Sequence, residues 1–471
     1  VINFNKPFIL HNVFFSEGKI EKPYIFTLNR KGFCPNQFFF FFDGLKQMSR
    51  KVQRLARFGY LVDSYPVMWD LTRSKGSWLW NASEGCSYLD FHCGYGSNPL
   101  GHNHDGLIEA MTRSPMGVSA FWNKPACGDF YTEELLEFVE TFQTEMIPRK
   151  MQTAPLFFID GGAAANDNAI KVAQDYKVQR TGNPKATKIA GLTDAFHGRS
   201  PGSLSLTNTD PHKTKLFAKF EGWPRIPTTD GTPEADEALL AHLSQAFEEG
   251  NDEIAGVMVE PIQCEGGDNH LTARVLQGIQ ALCRQHDALF MLDEVQTGFW
   301  TTGARWCFQH FDLTPDVVTF GKKSQQCGIW GGPKVAAFKD GCMHQSGRIS
   351  STWSGNLVDM IRSTHIMRII KDDGLAGNAI VRGKQFVDVM QIFGEKYPQH
   401  ISNVRGRGLI IAFDATDTKK RNLILQKLYS EEKFIGLACG DRTVRFRPNV
   451  NVYGYDMDIA LGRIENVLNK I

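Results

Sequence analysis

Two residues in this sequence pair reactive chemistry with an abrupt setting. The apolar run Leu289-Phe290-Met291-Leu292 ends in Asp293, and a second run, Val317-Val318-Thr319-Phe320, delivers Gly321-Lys322-Lys323. Each run has the length and composition of a buried parallel strand. Open α/β sheets keep their chemistry at the carboxyl ends of such strands. A carboxylate and an amine fixed at two strand ends can hold an aromatic cofactor between them. Pyridoxal 5'-phosphate needs that pair, a lysine for the Schiff base and an acid for the ring nitrogen. The competing reading is two strands that simply end in solvated charge.

Further candidates lie upstream. Leu156-Phe157-Phe158-Ile159-Asp160 reads as a buried strand and runs into Gly161-Gly162-Ala163, where a helical pattern begins with Ala163, Ile170, Ala173 and Tyr176 on one face. Strand, paired glycines and helix form the geometry in which backbone N–H groups and the helix dipole meet a phosphate. No lysine follows in Walker-type spacing, which counts against a nucleoside triphosphate. In Ala195-Phe196-His197-Gly198-Arg199, Phe196 offers a flat face for stacking and Arg199 a planar fork for a carboxylate. His102 and His104, in the loop Gly94 to His104, have no acidic or cysteine partners beside them and read as surface or loop histidines, not metal ligands.

The elements that must position these residues alternate. Strand-like Lys188 to Leu192, Ile254 to Gln263, the two runs above and the amphipathic helix Arg274 to His286 predict an α/β fold with a mainly parallel sheet covered on both faces. A polar loop, Ile349 to Gly355, precedes one long helical pattern through Arg382; strands at Leu409 to Phe413 and Thr443 to Pro448 then suggest a smaller α+β domain. The expected organisation is an unassigned segment at 1–55, the N-terminal part of a small domain at 56–105, a large cofactor-binding domain at 106–348 and a C-terminal small domain at 349–471. At 471 residues the chain is long enough for a large core. Its 52 basic and 51 acidic residues argue against nucleic acid or anionic membrane as the main partner. Ten scattered cysteines without a Cys-x-x-Cys pair suggest free thiols in a reducing, cytoplasmic setting, with an organelle as the alternative. The chain begins at Val1, which leaves room for an upstream or removed targeting segment, and the run Phe38 to Phe42 is too short to span a bilayer.

Taken together, these motifs resemble class III (omega) aminotransferases across residues 60–471 in uninterrupted order. The most specific parts are Asp293-Glu294-Val295-Gln296-Thr297-Gly298 and the following Gly321-Lys322. Phe196-His197-Gly198-Arg199, Ser203 to Thr209, Glu260 to Asp268 and Ser351-Thr352-Trp353-Ser354-Gly355-Asn356 are most similar to the subgroup that acts on the 6-amino group of L-lysine. The 4-aminobutyrate enzymes share many of these phrases and are the second reading.

The resemblance implies an aspartate-aminotransferase-like fold and a homodimer with shared active sites, with pyridoxal phosphate as cofactor and 2-oxoglutarate as amino acceptor. It implies that Lys322 carries the cofactor, with Lys323 structural; Asp293 pairs with the ring nitrogen and Gln296 with the ring hydroxyl. Gly162 and Ala163 would bind the phosphate, Phe196 would stack on the ring, and Thr352 would reach the neighbouring subunit's phosphate. Arg199 would bind the distal carboxylate and Arg445 the α-carboxylate of 2-oxoglutarate, with Glu265 covering Arg445 when an amine is bound. Arg447 would share a strand face with Arg445 and competes for that role. Three places depart from the family pattern: Phe299-Trp300 replaces a small, glycine-containing segment, Tyr95 stands where a smaller aliphatic residue is usual near the substrate, and Ser350 replaces an asparagine.

Overall fold

The structure, a computed structural model, describes residues 49–58, 65–113, 115–151 and 154–471; the run Phe38 to Phe42 lies outside them. A seven-stranded sheet runs in the order Leu156–Phe158, Gly328–Gly331, Val317–Phe320, Leu289–Asp293, Ile254–Val259, Lys188–Leu192, Arg225–Ile226. Leu289–Asp293 is parallel to both neighbours, and its register sets Asp293 opposite Thr319. Both strands therefore end at one edge, where Asp293 and Gly321-Lys322 emerge. Gly328–Gly331 is antiparallel to both of its neighbours, so the sheet is mixed.

Side chains alternate across a strand. Leu289 and Met291 join Ala165, Ala169 and Ala173 of the helix Gly162–Thr181, while Phe290 and Leu292 join Leu276 and Ile279 of the helix Ala273–Gln285. Both faces are apolar, which is why the strand reads as an uninterrupted hydrophobic run. Asp293 continues the face covered by Gly162–Thr181, the helix whose first turn opens at the same sheet edge.

A four-stranded antiparallel sheet, in the order Ile401–Arg407, Ile410–Ala415, Thr443–Phe446, Leu437–Cys439, presents the C-terminal arginines to that edge. A third sheet joins Trp69–Lys75, Trp78–Asn81 and Cys86–Asp90 to Phe434–Ile435, so residues far apart in the chain pair directly. The predicted strand from Ile254 to Gln263 divides: the long strand stops at Val259, and Ile262–Gln263 pairs with Asn269–His270 in a small hairpin that carries Glu265 and Asp268. The single long helix expected after Gly355 is two, Leu357–Asp372 and Leu375–Lys396, separated at Gly374 with φ 63°. His102 is not a surface residue: it is buried, with Nε2 2.9 Å from Asp90 Oδ2. No helix among the described residues is long and apolar enough to cross a membrane.

Phe446 fastens the arginine-bearing strand. Its ring stacks on Phe434 at 5.2 Å and meets Phe386 at 5.5 Å, and it is fully buried. Phe446→Ala should lower the unfolding free energy by about 3–5 kcal/mol, read from urea denaturation. A loss confined to a few tenths would show that the strand is held elsewhere.

Candidate active site

Asp293 is 5% exposed, and no lysine or arginine among the described residues pairs with it. Its Oδ2 instead accepts from Asn166 Nδ2 at 2.7 Å and lies 2.8 Å from His197 Nδ1, while Oδ1 accepts from the Val295 N–H at 3.0 Å. Asn166 also donates to the His197 carbonyl at 2.6 Å, tying the helix to the loop after Lys188–Leu192. Neither Asn166 nor His197 was given a role from sequence. His197 lay within a quoted motif, but nothing in the pattern showed that it would face Asp293.

The helix Gly162–Thr181 opens at this carboxylate. Its N-cap, Gly161, has φ 93°, and no side chain caps its first turn. Among the described residues nothing engages the leading N–H groups of Gly162 and Ala163, the kind of helix end that can bind an anion. A Cβ at Gly198, whose φ is 132°, would come within 2.5 Å of Ala163 Cβ, so the Phe196 loop can approach the turn only with glycine there. Phe196 is half-buried, and its N–H donates to Glu260 Oε1 at 2.9 Å. Burial, and then the Asp293 charge, push the Glu260 carboxyl well above the ordinary carboxylate range.

The two adjacent lysines differ. Lys322 has φ 53° and is half-buried, and its amine forms no hydrogen bond or ion pair among the described residues. Lys323 is 2% exposed and its Nζ donates to the Gln296 carbonyl at 3.1 Å. Burial, then Arg447, lower its amine to about 7.

Gln296 is held a second time, at its side chain. Arg445 and Arg447 both donate to Gln296 Oε1, at 3.3 and 3.2 Å, which turns the amide nitrogen away from them. The arginines themselves are distinct. Arg447 pairs with Asp268, and both side chains are 0% exposed. Arg445, equally buried, pairs at 2.5 Å with Glu265, whose side chain is 19% exposed. Lys213 Nζ reaches the other oxygen of Glu265 at 3.1 Å. Burial pulls the Glu265 carboxyl upward, but Arg445 and then Lys213 outweigh it and hold it at about 2.

The remaining expected residues lie farther out. Arg199 and Thr352 are exposed, and so is Ser350. Tyr95 is half-buried in the turn Cys93–Gly96, where Cys93, Gly94, Tyr95 and Gly96 all have positive φ, and its ring meets His92 edge-on at 4.5 Å. Phe299 and Trp300 are buried, 2% and 6% exposed, with φ 62° and 60°. Left-handed backbone costs about 1–2 kcal/mol for each residue with a Cβ, a strain that glycine would relieve at either position. Among the described residues no cluster of His, Cys, Asp and Glu could hold a metal ion.

Among the described residues, a buried carboxylate with no lysine or arginine beside it, an uncapped helix, an amine without a partner and an oriented amide form a donor set suited to pyridoxal phosphate. The chain belongs to the class-III aminotransferases, whose family description matches residues 60–468. Its relatives include the L-lysine-epsilon aminotransferases of Amycolatopsis lactamdurans, 40% identical over 87% of this chain and 93% of that one, and of Streptomyces clavuligerus, 41% identical over 87% and 92%. The mitochondrial 4-aminobutyrate aminotransferase of Sus scrofa is 28% identical over 84% of this chain and 83% of that one. Among solved structures, the lysine aminotransferase of M. tuberculosis superimposes with a TM-score of 0.86 at 36% identity, covering 90% of this chain and all of that one.

Between about 7 and the ordinary 10.5, the unfolded chain carries a proton on Lys323 that the folded chain does not. Unfolding therefore takes up a proton, and this amine's contribution to the unfolding free energy rises with pH across that window. Lys323→Met should flatten the rise, read from denaturation midpoints at about pH 7 and about pH 9.5. An unchanged slope would mean that the amine is charged in the folded protein.

Proposed function

We propose that this enzyme transfers the 6-amino group of L-lysine to 2-oxoglutarate, yielding the 6-semialdehyde and L-glutamate. The observation that carries the reading is the Arg445–Glu265 pair beside the uncapped helix and the uncompensated Asp293. The cofactor, when bound, supplies a carbonyl that accepts the amino group and a ring that withdraws electrons from the adjoining carbon.

Each role below belongs to this proposal. The N–H groups of Gly162 and Ala163 hold the phosphate, with Thr352 of a second subunit completing that site in a homodimer. Asp293 pairs with the ring N–H, and the Gln296 amide donates to the ring hydroxyl. Phe196 covers one face of the ring. Lys322 anchors the cofactor, then moves a proton on and off the amine-bearing carbon with its Nζ. Lys323, engaged with a backbone carbonyl, is structural. Residues 106–348 form the cofactor domain, with 56–105 and 349–471 composing the smaller one.

Charge selects the substrates. A donor that reacts at its terminal carbon brings no carboxylate to Arg445, and a buried guanidinium without a partner is costly. Glu265 covers it during the amine half-reaction and leaves it for the α-carboxylate of 2-oxoglutarate. Arg199 takes the distal carboxylate in both halves. The fixed Arg447–Asp268 pair favours Arg445 as the substrate arginine, because Asp268 has no exposed path away. Tyr95, at the turn near Gln325, would border the donor. 4-Aminobutyrate also reacts at a terminal carbon, so it remains the second reading, supported by the 28% identical relative.

Borohydride treatment of the holoenzyme should fix the cofactor to Lys322, identified by peptide mapping; recovery on Lys323 would reassign the anchor. L-Lysine should exceed L-ornithine and 4-aminobutyrate in kcat/KM, and a preference for 4-aminobutyrate would reverse the choice of donor. Glu265→Ala should weaken the amine half-reaction about ten-fold or more relative to the oxoacid half-reaction, the size expected for leaving a buried charge unpaired. Equal losses in the two halves would sink the gate.

A further inference from the structure

Glu265 is held between two cations, and only one of them belongs to the substrate site. Beyond it, on the side of Lys213, lies a cavity of about 30 Å³ bordered by Thr209, Asp210, Lys213, Glu265, Arg421 and Cys439, in which the Asp210 carboxylate is engaged by the His212 N–H at 2.9 Å. Three features give that cavity the character of a carboxylate receptor. Lys213 already contacts Glu265 Oε1 at 3.1 Å, and its side chain is 20% exposed, so the contact is largely screened from water. Thr209 Oγ1 is buried with no hydrogen-bond partner among the described residues, a hydroxyl donor in need of an acceptor. Arg421 is 1% exposed, with its guanidinium fixed by the Gly440 carbonyl at 3.0 Å and Asn422 Oδ1 at 2.8 Å.

We propose that Lys213, with Thr209 and the nearby Arg421 charge, forms a parking site that receives the Glu265 carboxylate when 2-oxoglutarate takes Arg445. This rests on the gate described under Proposed function and says where the gate goes. Releasing Arg445 would otherwise leave a carboxylate unpaired inside the protein, which is strongly unfavourable. With Lys213 in place, Glu265 exchanges two cations for one cation and a hydroxyl, moving by little more than a side-chain rotation. Lys213 stabilises both positions, but unequally. In the closed position Arg445 shares the carboxylate, whereas in the parked position Lys213 is its direct cationic partner. Removing Lys213 therefore penalises the parked state more, and with it the binding of a dicarboxylate. Lys213 touches neither substrate nor cofactor in this scheme and acts as a positioning residue. The short helix Pro211–Thr214 sets it there, with Asp210 accepting from the His212 N–H at 2.9 Å.

The test compares Lys213→Met, Lys213→Arg and Glu265→Ala, singly and with Lys213→Met in the Glu265→Ala background, all as holoenzymes. Binding is read with glutarate, a dicarboxylate that cannot react, and the two half-reactions are followed separately. In Lys213→Met the glutarate Kd and the 2-oxoglutarate KM should rise about ten-fold, the scale of one partly buried charge contact, while the amine KM moves far less. Lys213→Arg should restore binding, and Lys213→Met should have no further effect once Glu265 is alanine. An effect that persists in the Glu265→Ala background, or one that strikes amine and oxoacid alike, would overturn the parking site. If Glu265→Ala itself lowers both half-reactions equally, the gate fails and the parking site falls with it. A selective Glu265→Ala combined with an unselective Lys213→Met leaves the gate standing and removes Lys213 alone.

Discussion

The central constraint is a carboxylate buried without a lysine or arginine partner among the described residues. Asp293 sits at the end of a strand packed on both faces, where leaving a charge unpaired is costly. Three neutral or histidine donors hold it, from the helix Gly162–Thr181, from the loop after Lys188–Leu192 and from its own turn. That arrangement fixes the geometry of everything around it. The same helix whose Asn166 grips the carboxylate presents its open first turn to the site. The same loop whose His197 approaches it delivers Phe196. The open helix turn, the Phe196 ring and the acid are therefore placed by one hydrogen-bonded knot.

A second constraint separates two neighbouring guanidinium groups. Arg445, in the strand Thr443–Phe446, and Arg447, just past its end, touch the same Gln296 oxygen, yet their acidic partners differ in freedom. Asp268 is enclosed, so Arg447 behaves as part of the wall. Glu265 is partly exposed and lies between two positive groups, Arg445 and Lys213. Gln296, pinned through its side chain by both arginines and through its carbonyl by Lys323, ties the arginine-bearing segment to the turn that follows Leu289–Asp293.

Much of this was legible in the sequence where local pattern determines structure. The strands ending in Asp293 and before Lys322 announced themselves as apolar runs that stop in charge, and the Gly161-Gly162 turn announced itself as strand, glycines, helix. What escaped depended on contacts between distant segments. Asn166 looks like any polar residue on a helix until the loop at His197 folds over it. The short strand Gly328–Gly331 was missed because glycines at both ends carry no strand signature. Periodicity alone put Arg445 and Arg447 on one face; only the Ile262–His270 hairpin supplies the two acids that tell them apart. Gly374 was absorbed into a helical pattern whose apolar spacing continues across it. His102 appeared to belong to an exposed loop because its partner, Asp90, comes from a different element.

Glu260 adds a consequence for the number of charges that the cleft can accept. Its carboxyl lies deep beside Asp293, but burial and that neighbouring charge favour its protonated form. The sheet edge therefore carries less negative charge than the count of its carboxyl groups suggests, because burial and the neighbouring Asp293 charge favour the neutral form of Glu260.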